Sequence, residues 1–76
     1  MQQNTKRFSE RLHYCLDETG APSSIRERAV ILSKMTDIPK QLAFGLLDGH
    51  QMPAADMIEK IAVEFEVDPA WLSGEK

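Results

Sequence analysis

The sequence predicts an all-α fold, a compact bundle of five short helices, on three observations. Apolar residues recur at three- and four-residue spacing in several windows, which lines them up along one face of a helix. Residues that start or stop helices fall between those windows: Ser24 with Glu27, Asp37, Gly49, and Asp68 with Pro69. Alternation of apolar and polar residues is nowhere sustained, and no hairpin dipeptide separates β-branched runs, so no strand is expected.

Asn4 or Thr5 can cap the first helix. Its Phe8, Leu12, Cys15 and Leu16 fall at i, i+4, i+7 and i+8 and form a stripe that faces the core. His13 lies off that stripe as a solvated residue, and Tyr14 flanks it, partly exposed. Gly20 supplies the left-handed residue that ends the helix, and Ala21-Pro22 keeps it from resuming. Ser24 and Glu27 then make the S-x-x-E capping box, in which hydroxyl and carboxylate each satisfy a backbone N–H left without a partner at a helix start.

The second helix runs from there to about Met35. Ile25, Ala29, Leu32 and Ser33 face inward, whereas Arg26, Glu27 and Lys34 face outward; Val30 and Ile31 exceed one face and meet neighbouring helices. Thr36-Asp37-Ile38 is a tight turn. Such a turn between crossing helices needs one residue at positive φ, where Gly is best and Asp is tolerated, so Asp37 is assigned to it. Pro39 suits the first turn of the third helix, because its fixed φ is already helical and its missing N–H would have had no partner. Ala43 and Leu46 supply that helix's buried side, with Leu42 and Leu47 deepening the core. Lys40, Gln41, Phe44 and Gly45 fall on faces free to meet a partner. Gly49 closes the helix in the left-handed conformation.

After Met52-Pro53, Ile58, Ile61, Ala62 and Phe65 repeat the i, i+3, i+4, i+7 pattern, with Asp56, Glu59 and Glu64 as a solvated acidic face. Asp68 caps a short fifth helix whose first position is Pro69. Trp71 on this helix is expected to lock it onto the others, beside Leu72.

At 76 residues the chain forms one domain, 1–76 with an ordered core of about 5–74, and a domain this small buries only about 60% of its unfolded surface. No apolar run approaches the ~20 residues that cross a bilayer, and no signal-peptide pattern opens the chain; a cytoplasmic location and no membrane partner are expected. The single cysteine, Cys15, has no internal disulfide partner, and with His13 and His50 it makes no zinc-ligand spacing. No metal or cofactor is expected. There is no nucleophile-and-base arrangement, no phosphate-cradling glycine loop and no acidic pair in a cleft, which argues against an enzyme.

The net charge is −3, mildly against nucleic acid, but the charge is unevenly spread. Residues 1–41 carry seven basic and five acidic side chains, and the remaining residues carry two basic and seven acidic. The less acidic half ends inside the third helix.

Five short helices with L-S-K-M-T-D-I-P at the turn, L-L-D-G-H-Q-M-P after the third helix and V-D-P-A-W-L near the end resemble the lambda-repressor-like (Cro/C1-type) helix-turn-helix DNA-binding domains, as found in phage and prophage repressors. The resemblance covers roughly Arg7 to Gly74. It implies a sequence-specific transcriptional regulator, most simply a repressor, of a bacterial or phage-infected cell. The third helix would enter the major groove of double-stranded DNA, and a homodimer would read two half-sites. The base-reading positions it implies are Lys40, Gln41, Phe44 and Gly45. There Lys40 can donate to guanine or a phosphate, Gln41 can pair with adenine, and Phe44 can pack on a thymine methyl. Phosphate contact would fall to Ser24, Arg26 and Arg28 at the start of the second helix, where free N–H groups attract anions, and more weakly to His50 and Gln51.

This sequence departs from the family pattern where Asp37 and Glu66 stand at positions usually held by Gly, and where Pro39 replaces a capping Ser or Thr. The apolar third helix leaves a second function open: a protein-interaction module on the same fold, an antirepressor or adaptor, with Phe44 meeting a protein partner. The chain is either a whole small regulator or the DNA-binding part of a longer one.

Overall fold

In a computed structural model that describes residues 4–76, the chain forms α1 (Asn4–Glu18), α2 (Ile25–Thr36), α3 (Lys40–Asp48), α4 (Ala55–Phe65) and α5 (Pro69–Ser73), with no strand among the described residues. Each boundary has a local cause. Asn4 and Thr5 both lie inside α1 rather than capping it, so the cap position falls outside the described residues. Gly20 ends the following turn at φ 80°. Ser24 caps α2 by accepting from the Glu27 N–H at 3.4 Å, and Asp68 caps α5 by accepting from the Ala70 N–H at 3.0 Å. Pro39 stands one position earlier than expected. It is the residue before α3, with extended ψ of 145° and no side-chain cap.

Two non-glycine residues sit in the left-handed region, Asp37 at φ 60° and Glu66 at φ 59°. Both end helices, and both replace a conformation that glycine adopts without steric cost. Asp37 is held there by hydrogen bonds made by its neighbours. Its N–H and that of Ile38 donate to the Ser33 carbonyl, and the Ser33 hydroxyl donates back to the Ile38 carbonyl. Ser33, expected in the core, is therefore only partly buried and ties the α2–α3 turn together.

The core runs through all five helices: Phe8, Leu12, Cys15 and Leu16 of α1, Ala29 and Leu32 of α2, Ile38 of the turn, Ala43, Leu46 and Leu47 of α3, Ile58, Ile61 and Ala62 of α4, and Leu72 of α5. Ile25, Leu42, Phe65 and Trp71 pack partly buried against it. The most extensive helix pairing is α2 with α3. Burial pushes the Cys15 thiol above its usual range, with the Glu18 carboxylate adding to the effect.

Leu72, fully buried, anchors α5, and Trp71 packs partly buried alongside it. Arg11 lies over the Trp71 ring at 5.1 Å and donates to the Trp71 carbonyl. Tyr14, 54% exposed, meets the same ring edge-on at 6.0 Å. Arg7 donates to the Gly74 carbonyl at 3.1 Å. Two α1 arginines thus reach carbonyls at the C-terminal end of this five-residue helix, where the Trp71 carbonyl also accepts from the Gly74 N–H at 3.1 Å. Past it, Lys76 donates to Asp68 at 2.8 Å; that bond and the Ala70 N–H hold the Asp68 carboxyl below its usual range.

Candidate functional site

The outer faces of α2 and α3 meet along a shallow groove of about 300 Å³ lined by Arg26, Ala29, Val30, Lys40, Gln41 and Phe44. Helical spacing explains the grouping. Arg26, Ala29 and Val30 lie three and four residues apart on α2, and Lys40, Gln41 and Phe44 do so on α3, so each trio shares one face. The Asp37 turn sets the two faces side by side. Ala29 and Val30 form an apolar floor, and Phe44 stays 37% exposed beside them. Arg26, Lys40 and Gln41 are exposed and make no hydrogen bond or ion pair with another described residue. The groove therefore offers two uncommitted cations, a free carboxamide and an aromatic edge. It suits a partner that is anionic and carries an apolar edge.

Two expected site residues are buried. Arg28, expected as a surface phosphate contact, is only 5% exposed. Its Nε donates to the Pro22 carbonyl at 2.5 Å, its Nη1 reaches the His13 carbonyl at 3.2 Å and His13 Nδ1 at 2.9 Å, and its Nη2 pairs with the Asp17 carboxylate. The physical reason is that a guanidinium has five donors in a planar fork, and the α1–α2 junction presents four acceptors to it. His13, expected as solvated, is partly buried for the same reason. Its Nδ1 accepts from Arg28, and its Nε2 donates to the Leu47 carbonyl at 3.0 Å. The Ser9 hydroxyl donates to that carbonyl as well, at 2.6 Å. Leu47 is next to last in α3, where carbonyls lack helical partners, so α1 side chains hold the C-terminal end of α3 in place.

Gly45, expected on an open face, is the second. It is buried, because the Gln51 side chain lies over it: a Cβ built on Gly45 would stand 2.6 Å from Gln51 Nε2 and 3.2 Å from Cδ. Ser24 stays exposed at the α2 start. His50 is exposed with its Nδ1 2.5 Å from Asp48 Oδ2, so its ring is turned toward the carboxylate of the last α3 residue.

The residues missed by the sequence reading were His13, Asp17 and Ser9. His13 and Asp17 stand four apart on α1 and so share a face, a signal that a cationic partner from another helix was wanted. Ser9 carried none. Among the described residues no group of three His, Cys, Asp or Glu is arranged to hold a metal ion, and no helix is long and apolar enough to cross a membrane. Comparison with known proteins finds no matching family, curated relative or solved structure.

Proposed function

We propose that this protein is a sequence-specific DNA-binding transcriptional regulator of the lambda-repressor-like kind, with α3 lying in the major groove and α2 crossing the backbone. It acts as a homodimer on a roughly palindromic operator, and repression is the simplest outcome of occupying such a site. One observation carries this reading: Lys40, Gln41 and Phe44 project from one face of a helix that is braced at both ends, and Arg26 stands next to them with no partner among the described residues. Lys40 donates to guanine or a phosphate, Gln41 pairs with adenine N6 and N7, and Phe44 packs on a thymine methyl. Ser24, Arg26 and the first N–H groups of α2 serve the phosphates. Arg28 takes no part, being fully engaged inside the protein.

The test is a selection of bound sites from random duplexes at low salt. A two-fold symmetric consensus is expected, with affinity falling steeply as salt rises because each neutralised phosphate releases counterions. Lys40→Ala and Gln41→Ala should each relax preference at particular base pairs, and Arg26→Ala should weaken binding to all sequences alike and reduce the salt slope by about one. No enrichment at low salt overturns the proposal.

Phe44 favours a second reading, a protein-interaction module on the same fold. An exposed aromatic over an apolar floor is also a protein anchor, and the acidic total opposes DNA. A defined protein complex abolished by Phe44→Ala, with no DNA shift for the unaltered chain, would select it.

A further inference from the structure

We infer that Gln51 is a base-reading side chain, seated on the reading face of α3 by the missing Cβ of Gly45. This rests on the DNA-binding reading above and adds to it a residue outside the third helix together with the device that positions it.

Glycine inside a helix costs about 0.5–1 kcal/mol relative to alanine, and Gly45 stands in the middle of α3 with no left-handed φ to justify it. What it provides is space. Gly49, at φ 81°, turns the chain at the end of α3, and the His50 N–H closes back onto the Gly45 carbonyl at 3.0 Å. The next residue is therefore delivered directly over Gly45. Gln51 Cγ, Cδ and Nε2 lie 3.4, 3.2 and 2.6 Å from where a Cβ would be, so the side chain runs flat along the helix through the notch.

Gly45 is four residues after Gln41 and next to Phe44, which puts the notch on the face that carries the uncommitted side chains. The Gln51 carboxamide makes no hydrogen bond with another described residue. It keeps its donors and acceptor for a partner, one helical turn beyond Gln41. A carboxamide held at a major-groove edge matches the N6 donor and N7 acceptor of adenine. Gly45 itself touches no base; it is a positioning residue acting through Gln51.

Site selection with six proteins tests this: the unaltered chain, Gln51→Ala, Gly45→Ala, the double variant of those two, Gln41→Ala and Gln51→Glu. The alanine at position 45 leaves the Gln51 chemistry intact and displaces it, and thermal melts show whether each variant is folded. Gln51→Ala and Gly45→Ala should lose preference at the same base pair in each half-site, by about five- to a hundredfold, while Gln41→Ala loses it at a different one. The double variant should be no worse at that base pair than either single one, since both remove one contact. Gln51→Glu should move the preference from adenine toward cytosine, whose N4 amine a carboxylate accepts.

If Gln51→Ala instead weakens all sequences equally, Gln51 serves a phosphate and the inference fails while the DNA reading stands. If Gly45→Ala binds with unchanged preference, the notch is not what positions Gln51, and the inference again fails alone. If the unaltered chain enriches no sequence, both fail together.

Discussion

Arg26 and Arg28 lie two residues apart on α2, and the protein uses them in opposite ways. Arg28 points into the α1–α2–α3 junction, where carbonyls of Pro22 and His13, the His13 ring and the Asp17 carboxylate occupy its donors. Arg26 points out over the α2–α3 groove and has no partner among the described residues. The inner junction is a closed network that holds three helices, whereas the outer face is a set of polar groups left unanswered. An unanswered polar surface costs nothing when hydrated, but a buried charge without partners would cost several kcal/mol. Being free or being engaged therefore separates groups left open to solvent from groups that serve the fold.

The largest expected effect tests that contrast directly. Arg28→Ala should lower stability by about 2–4 kcal/mol, read from the urea midpoint, because it removes several charge-assisted hydrogen bonds and leaves the Pro22 and His13 carbonyls without their donor. Arg26→Ala should stay within about 0.5 kcal/mol. Comparable losses for the two variants would erase the distinction between the faces. Arg28→Lys should restore little, since an ammonium cannot reproduce the planar fork.

His13→Ala should cost about 1–2 kcal/mol by the same measurement, because one imidazole bridges Arg28 to the Leu47 carbonyl and its loss removes a hydrogen bond from each. A near-zero change would mean that Ser9 alone suffices to hold the end of α3.

The two strained residues should respond unequally. Glu66→Gly should stabilise the protein by about 1 kcal/mol, as a left-handed conformation costs a side-chain-bearing residue roughly 1–2 kcal/mol and the flexibility of glycine in the unfolded chain offsets part of the gain. Asp37→Gly should gain less, since a short polar side chain tolerates that conformation. A lower denaturation midpoint for Glu66→Gly would show that the carboxylate makes a contact worth more than the strain.

Gly45→Ala should raise stability by about 0.5 kcal/mol, slightly under the ordinary helix-interior gain, because only the movable end of Gln51 must give way. Destabilisation would mean that Gln51 is held rigidly in place. The smallest effect concerns the core. The Cys15 thiol is raised in the folded state, first by desolvation and then by Glu18. The stability it contributes is complete below the ordinary thiol pKa and is lost as pH rises through the raised one. Stability measured across that alkaline range should therefore fall less steeply in Cys15→Ala than in the unaltered chain.

Much of this architecture is legible in the chain. The stripe Phe8, Leu12, Cys15, Leu16 is buried as its spacing demands, and Ser24, Asp37, Gly49 and Asp68 stand at helix ends in capping or left-handed conformations that their chemistry favours or tolerates. These are local effects, set by periodicity and by which residues tolerate left-handed or capping geometry. The outer trio Lys40, Gln41 and Phe44 was legible for the same reason, since one helix and its two buried residues, Ala43 and Leu46, determine which positions are left outside.

Arg28, His13, Gly45 and Gln51 were not legible in this way. Whether an arginine two positions from another is buried depends on which acceptors another helix brings to it, and those come from residues eleven and fifteen positions away. Whether a glycine in a helix is a bare face or a filled notch depends on where the chain returns after Gly49. The sequence by itself determined five helices, their ends and their apolar faces, because each is decided within a few residues. Only the tertiary structure decided which polar side chains were spent on holding helices together and which were left exposed to solvent. That choice depends on contacts between distant segments, and a buried polar group is stable only where those contacts satisfy it.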